Sequence, residues 1–592
     1  MRNPFQILTV GLVMLGSFQA GADDGPANDA GVPWIHTTDD WGRPWGDACS
    51  DFYRRAGAQF ELLARQGVPS GKAKFLVGVE SPLQKVFMPK IWFKGAMDGV
   101  ASLSAAKGEY EGFQLVVCPL AQSELGQTYF KWDPQAPFQP ATVKIESVRI
   151  GALKLVAGGG EIGPEAFTVH RVGYIRTVQP QYPVELVGMW PDPLLPMEAF
   201  EVSNPNCQPL WIEVKIPRDA QAGDYEGEIA VVGPHEVRIC VKLRVWNFAL
   251  PETPSIVTMG WQEPQWAVAD GRFETAKRIL TPLLDHRLCP WHVGQRMSKN
   301  LEEHDKTLEW LFGRGVKMQA MSTNAPEAEY IEHLRKKDWL GRFICIPGDE
   351  PHEREYPEYK KRADEIRAKF PGLKIAMTEP PRPEARGLFD FWILEPSAQR
   401  EEWVKQARAR GEQVWWYLCQ LPINDLYPGA IHRCPGVVVD RPAIDHRVIY
   451  WLAYKYGIDG VSFWAIAGWP AGWEKWPGEP WPVNERSKYP YSGQHNANGF
   501  LCYPYKDALI PSMRLKSLRD GMEDYDMLTM LAEIRSRHQT GGGKDAGGVM
   551  EEVERMLAIP AEVAVGLRYF NKDHAALTSA REKLAGMIEK TP

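Results

Sequence analysis

The sequence predicts a multidomain protein: an N-terminal antiparallel β-sandwich, a (β/α)8 TIM-like barrel and a C-terminal helical extension. Three observations carry that expectation. Short β-like runs broken by Gly and Pro fill residues 74–250. After Pro254 eight apolar runs alternate with helix-period segments, the count of a (β/α)8 barrel. At 592 residues the chain is also too long for one core, and about two or three domains are expected.

The chain opens on Arg2, an apolar run over 7–18, and Ala20-Gly21-Ala22 ahead of Asp23-Asp24. A positive start, an apolar stretch too short to span a bilayer and a small-x-small triplet read as a signal peptide over 1–22. Cleavage is expected after Ala22, giving a secreted or periplasmic protein with no membrane insertion once the signal is removed. An uncleaved anchor is the alternative. Residues 23–73 form an N-terminal segment. The sandwich is expected over 74–250, with strand patterns at 113–117, 143–150, 210–216 and 237–246; the last reads VRICVKLRVW. Residues 249–254, Ala-Leu-Pro-Glu-Thr-Pro, read as a link.

The barrel is expected over 251–540. Its strand patterns lie at 255–261, 289–293, 316–321, 342–346, 374–378, 389–394, 413–418 and 460–466. Helical segments lie between most of them, as at 273–286, 356–370, 400–410 and 445–456, while residues 374–394 leave little room for one. A helix over 512–538 closes the barrel, Gly541-Gly542-Gly543 forms a hinge, and residues 541–592 make the helical extension.

Composition narrows the function. A formal charge of -7 argues against nucleic acid or an anionic membrane as partner. The 23 Trp offer flat apolar faces that suit sugar rings or a core. Nine Cys lack any C-x-x-C spacing, so no zinc or iron–sulfur site is signalled, and no metal or cofactor is expected. Cys118, Cys240, Cys345 and Cys419 sit in strand patterns and read as small buried hydrophobes, and one or two disulfides are open to an exported chain. No phosphate-binding, dinucleotide, esterase-elbow or zinc-protease motif is present.

The most informative phrase is Gly348-Asp349-Glu350-Pro351, which ends the fourth strand pattern. Strand ends face the ligand in such barrels. Adjacent carboxylates there are expected to repel and lose solvation, which favours keeping one proton for general acid work. Two-carboxylate glycosidases need a partner acid, roughly 5–5.5 Å away for retention and 6.5–9.5 Å for inversion. The seventh pattern, ending Tyr417-Leu418-Cys419-Gln420, supplies none. Glu379 and Glu395 follow the fifth and sixth and read as turn residues or as partner acids. Adjacent acids fit another scheme, in which a substrate acetamido oxygen attacks the anomeric carbon. Glu350 is then the acid and later the base, and Asp349 holds the acetamido N–H.

Further residues are candidates for substrate binding. The period-2 rule sets Trp415 and Tyr417 on one face, assigned inward, and Trp416 on the other. Trp261 and Trp464 end strand patterns and either meet the sugar or pack in the core. His292 either binds a hydroxyl or is a core histidine. Arg514, Arg519, Asp520, Glu523 and Asp524 read as a structural network. Trp469, Trp473, Trp476 and Trp481 read as a rim loop gripping the leaving group or as a folded-back cover.

Four phrases in order carry a resemblance: GDEP at 348–351, VWWYLCQLP at 414–422, DHRVIYWLAYKYGIDGVSFWAI at 445–466 and YPYKDALIPSMRLKSLRDGMEDYDML at 503–528. Together they resemble the catalytic domain of glycoside hydrolase family 123. Upstream, residues 102–117 and 245–255 resemble that family's N-terminal β-sandwich and link. The resemblance implies a β-N-acetylgalactosaminidase-like enzyme using substrate-assisted retention, with Asp349 as oxazoline stabiliser and Glu350 as acid/base. Asn498-Gly499-Phe500 stands where relatives often read Gly-Asp-Gly. The expected function is hydrolysis of terminal β-linked N-acetylhexosamine, N-acetylgalactosamine foremost, on a glycan or glycoconjugate. The rivals are a glycosidase of other specificity and a non-catalytic carbohydrate-binding surface protein.

Overall fold

The computed structural model describes residues 45–120, 141–180, 182–260, 268, 270–322, 327–380, 387–419, 433–469, 472–481, 495–540 and 548–590. The signal segment, with its cleavage point, and Trp261 lie outside the described residues.

Two larger sheets and one two-stranded sheet, Phe200–Ser203 with Thr142–Ile145, make the N-terminal layer among the described residues. One runs in the order Phe75–Glu80, Tyr110–Pro119, Gln208–Lys215, Phe167–Arg176, Met189–Pro196, all antiparallel. The other is built on Glu236–Ala249, which pairs antiparallel with Gly223–Val232. Its other neighbour, Val100–Lys107, is parallel, so the sandwich is not wholly antiparallel as expected. Alternation explains the long strand: Val237, Ile239, Val241, Leu243 and Val245 are buried while their charged neighbours face out. The helix Trp45–Arg65, inside the segment left without a fold, docks here; Gln59 bonds both the N–H and the carbonyl of Val77.

The second layer is a sheet of seven parallel strands curled into a nearly closed barrel. Its order is Val257–Gly260, Gly460–Phe463, Gln413–Leu418, Phe391–Leu394, Lys374–Met377, Phe343–Ile346, Gln319–Ser322. An eighth strand at 289–293 was expected and is not formed. That stretch still fills the gap between the end strands: the Gly260 N–H donates to the Cys289 carbonyl (2.9 Å) and the Ala320 N–H to the Trp291 carbonyl (2.9 Å). Pro290 has no N–H to donate, so a continuous ladder cannot run through it.

Strand burial is two-sided, as parallel sheets require. Met259, Ala320, Ile344, Ile346, Ala376, Phe391, Ile393 and Trp415 pack together inside. Cys345, Ile375, Trp392, Val414, Trp416 and Val461 face the surrounding helices. Those helices include Phe273–Asp285, Leu301–Gly313, Ala328–Lys336, Tyr356–Lys369, Glu401–Ala409 and Ala443–Lys455. The helix Met513–Thr540 ends the barrel region, and Val549–Leu557 and His574–Lys590 form the helical C-terminus.

Sandwich and barrel meet through buried charges. Arg514 Nη2 lies 2.7 Å from Asp192 Oδ2, Lys516 Nζ lies 2.7 Å from Glu213 Oε2, and Arg519 also pairs with Glu213. Arg447 Nε lies 2.7 Å from Asp524 Oδ2. Arg581 of the last helix reaches Asp524 (3.1 Å) and Glu111 (3.2 Å) and pairs with Glu109. Of the residues read as a structural network, Arg514 and Arg519 thus bind one layer to the other through partners on distant strands, while Asp524 pairs with Arg447 and Arg581. Of the cysteines read as small buried hydrophobes, Cys118 and Cys345 are buried and Cys240 and Cys419 half-buried. No helix of the described residues is long and apolar enough to cross a membrane.

Candidate active site

The strand Phe343–Ile346 is buried on both faces and ends at Pro347, which delivers Gly348, Asp349 and Glu350 to the barrel rim. Gly348 is required by space: a Cβ there would overlap the ring of Tyr359, which rises from the helix Tyr356–Lys369. That helix also reaches under the turn, Arg362 Nη1 lying 3.4 Å from the Pro347 carbonyl. Glu350 has φ +42°, a left-handed conformation uncommon for a non-glycine residue. Such conformations persist where surroundings over-determine them and collect at functional sites. Here the Glu350 N–H donates to Thr378 Oγ1 at 2.7 Å, at the end of the neighbouring strand.

Asp349 and Glu350 are both exposed. The fold therefore leaves the pair in water, against the expectation that the strand end strips them of it.

Tyr417 is inward, and its side chain crosses the mouth to donate its hydroxyl to Glu350 Oε1. Burial, and then the bond to Glu350, push the Tyr417 hydroxyl well above its ordinary range. It therefore stays a donor at working pH, which leaves the second Glu350 oxygen for another proton acceptor or donor. Beside Tyr417 runs a narrow cleft lined by Glu395, Cys419, Cys434, Gly436 and Val437. The Glu395 carboxyl is pushed up by burial, against the Ser397 hydroxyl that donates to its Oε2 at 2.7 Å; its Oε1 is buried without a hydrogen-bond partner. Glu379 is half-buried in the turn after Lys374–Met377.

The remaining predicted residues divide. Trp464 is half-buried at the end of the last strand, its backbone N–H bonded to the Leu418 carbonyl at 2.9 Å. Its ring lies on Gly499, where a Cβ would come within 2.9 Å of it. Trp415 faces inward as assigned but is 0% exposed, and its indole N–H goes to Gln413 Oε1 at 3.0 Å, back toward the strand's start. It fills the lower barrel, over Gly460, and does not reach the ligand side as expected. His292 is buried beside Trp291 at the head of the short helix Val293–Met297. The tryptophan-rich stretch is folded back: Trp469, Trp473 and Trp481 are buried against Phe500 and Tyr503, and Glu479 pairs with Arg171 of the sandwich at 3.0 Å. Thr378 and Tyr359 escaped sequence reasoning. Thr378 was findable from its place just past a strand end; the Gly348–Tyr359 contact was not.

Residues 289–531 match the family described as "Glycoside hydrolase 123, catalytic domain", and residues 141–233 match "Glycoside hydrolase 123 N-terminal domain". The chain belongs to glycoside hydrolase family 123. Among solved structures, a family 123 glycoside hydrolase from Clostridium perfringens, described in connection with glycolipid glycan hydrolysis, shares the fold. It has 14% identity and a TM-score of 0.62, over 87% of this chain and 98% of that one. A glycosyl hydrolase family 2 member from Bacteroides cellulosilyticus (10% identity, TM-score 0.22, 66% of this chain and 46% of that one) is far looser. So is a Bacteroides ovatus GH5 xyloglucanase (7%, TM-score 0.23, 72% and 98%). No curated protein matches in sequence. As a family 123 glycoside hydrolase the protein acts on glycans, and the rim carrying Asp349, Glu350 and Tyr417 is the face where barrel enzymes place their chemistry.

Proposed function

We propose that this glycoside hydrolase is an exported enzyme that removes terminal β-linked N-acetylhexosamine, N-acetylgalactosamine foremost, by substrate-assisted retention. The observation that carries the reading is the placement of Asp349 and Glu350 on one strained turn at the rim, with Tyr417 donating to Glu350. A saccharide seated over the pair takes the place of its water. Glu350 then gives its proton to the glycosidic oxygen as that bond breaks. The acetamido carbonyl oxygen bonds to the anomeric carbon from the opposite face, forming an oxazolinium whose N–H is held by Asp349. Water next attacks the anomeric carbon, giving its proton to Glu350, and the ring opens with retained configuration.

Glu395 is the acid best placed for an ordinary two-carboxylate mechanism, but burial pushes its carboxyl up, which suits a proton holder more than an ionised nucleophile. The leader-like sequence at 1–22 supports export. The relative from Clostridium perfringens makes glycolipid glycans a first substrate class to try.

Paired variants test the roles. Glu350→Gln is expected to lose about 10²–10⁴-fold on natural glycosides and little on aryl glycosides with good leaving groups, which need less protonation. Asp349→Ala is expected to damage both. Full aryl-glycoside turnover in Asp349→Ala removes Asp349 from the mechanism.

A further inference from the structure

Outside the rim, two barrel helices place three metal-ligand side chains together. Leu301–Gly313 carries His304 and Asp305, and Ala328–Lys336 carries His333; the two helices flank the strand Gln319–Ser322. One ligand atom from each lies within 4.8 Å of the others. We infer that His304, Asp305 and His333 bind one divalent transition-metal ion of the zinc class, which ties these helices together.

The donor set is two imidazole nitrogens and one carboxylate oxygen, with water available for a fourth position, which is zinc chemistry. Asp305 Oδ1 lies 2.8 Å from both His304 Nδ1 and His333 Nε2. Tetrahedral ligands at about 2.0–2.2 Å sit roughly 3.3–3.5 Å apart, so small side-chain adjustments admit an ion. The outer partner is built in: His304 Nε2 lies 3.1 Å from the Tyr330 hydroxyl, which fixes the ring with Nδ1 toward Asp305. Tyr330, Trp339 and His333 surround the His304 ring. Asp305 and His333 keep 17% and 20% side-chain exposure, so an ion can enter from solvent.

Lys337 is the competing cation, 2.7 Å from Asp305 Oδ2. It also lies 3.7 Å from Glu309 Oε1, an exposed acid onto which it can swing. This yields a result that a plain ionic network does not predict: Lys337→Gln should tighten metal binding.

The test is titration of the full chain with Co²⁺, followed by visible absorption and by competition with Zn²⁺. The expected result is one equivalent of cobalt with the intense bands of four-coordinate geometry, displaced by zinc. His333→Ala, whose side chain is partly exposed, should weaken binding at least tenfold, and Lys337→Gln should strengthen it several-fold. Hydrolysis by His333→Ala reports that it has folded. Absence of the cobalt bands in the natural protein overturns the inference. So does equal cobalt uptake by His333→Ala, or no gain in Lys337→Gln.

Discussion

Glu350 gets its position from three neighbours: Gly348, which lets the helix ring of Tyr359 close in; Thr378, which takes its N–H; and Tyr417, which donates to its carboxylate. Gly348→Ala is therefore expected to act through geometry. Relieving the overlap with Tyr359 should cost about 1–3 kcal/mol, and a displacement near 1 Å should cost on the order of 10²-fold in kcat/KM. Trimming the ring, in Gly348→Ala with Tyr359→Leu, should recover much of that loss; no recovery would show that the ring does not set the turn. The Asp-Glu pair and the inward face of Tyr417 were legible in the sequence, because a strand end and a period of two suffice to locate them. The depth of a side chain along its strand was not: the structure sets Trp415, expected at the ligand, low in the barrel with its indole N–H on Gln413.

At the scale of elements, seven barrel strands lie within a few residues of their predicted places, since two-sided burial leaves uninterrupted apolar runs. The eighth failed at Pro290, where the chain offers isolated backbone bonds in place of a ladder. The helix Met513–Thr540 could be read but its partners could not: Asp192 and Glu213 stand some three hundred residues away on sandwich strands. Burial alone would raise the Asp192 carboxyl, but Arg514 and Lys85 outweigh this and hold it below the ordinary carboxylate range. Breaking such a buried pair leaves an uncompensated charge. Arg514→Ala should destabilise by about 3–5 kcal/mol in urea unfolding, and replacing both Arg514 and Asp192 by apolar residues should cost less than the single change. A loss below about 1 kcal/mol would contradict this account of the interface.

For the whole molecule, buried titratable groups tie stability to pH. Burial holds His170 and His495 down to about 4, and Lys516 further lowers His170. The unfolded chain takes up protons on these histidines as pH falls through about 6.5, while the folded chain resists until about 4. The histidines' contribution is thus present at neutral pH and lost progressively between those values, while Glu80 and Glu111, pushed up to about 7 by burial, contribute in the opposite sense. Glu213, which Arg519 and Lys516 hold well below its ordinary range despite burial, extends the loss at lower pH. Removing one histidine isolates its share: between pH 7 and pH 4.5 His170→Gln should lose less stability in urea than the natural protein, and an equal loss in both would contradict the linkage. Family membership was legible from four phrases in order, whereas the joining of the layers needed coordinates. The claim that matters most is that the substrate's own amide does the nucleophile's work beside Asp349 and Glu350. Inhibition by a thiazoline mimic of the oxazoline tests it most directly, because an enzyme binds a likeness of its high-energy species far more tightly than substrate. Tight competitive inhibition, about 10²-fold or more below KM and lost in Asp349→Ala, is the predicted result; hydrolysis of N-acetylhexosaminides undisturbed by saturating thiazoline would contradict it.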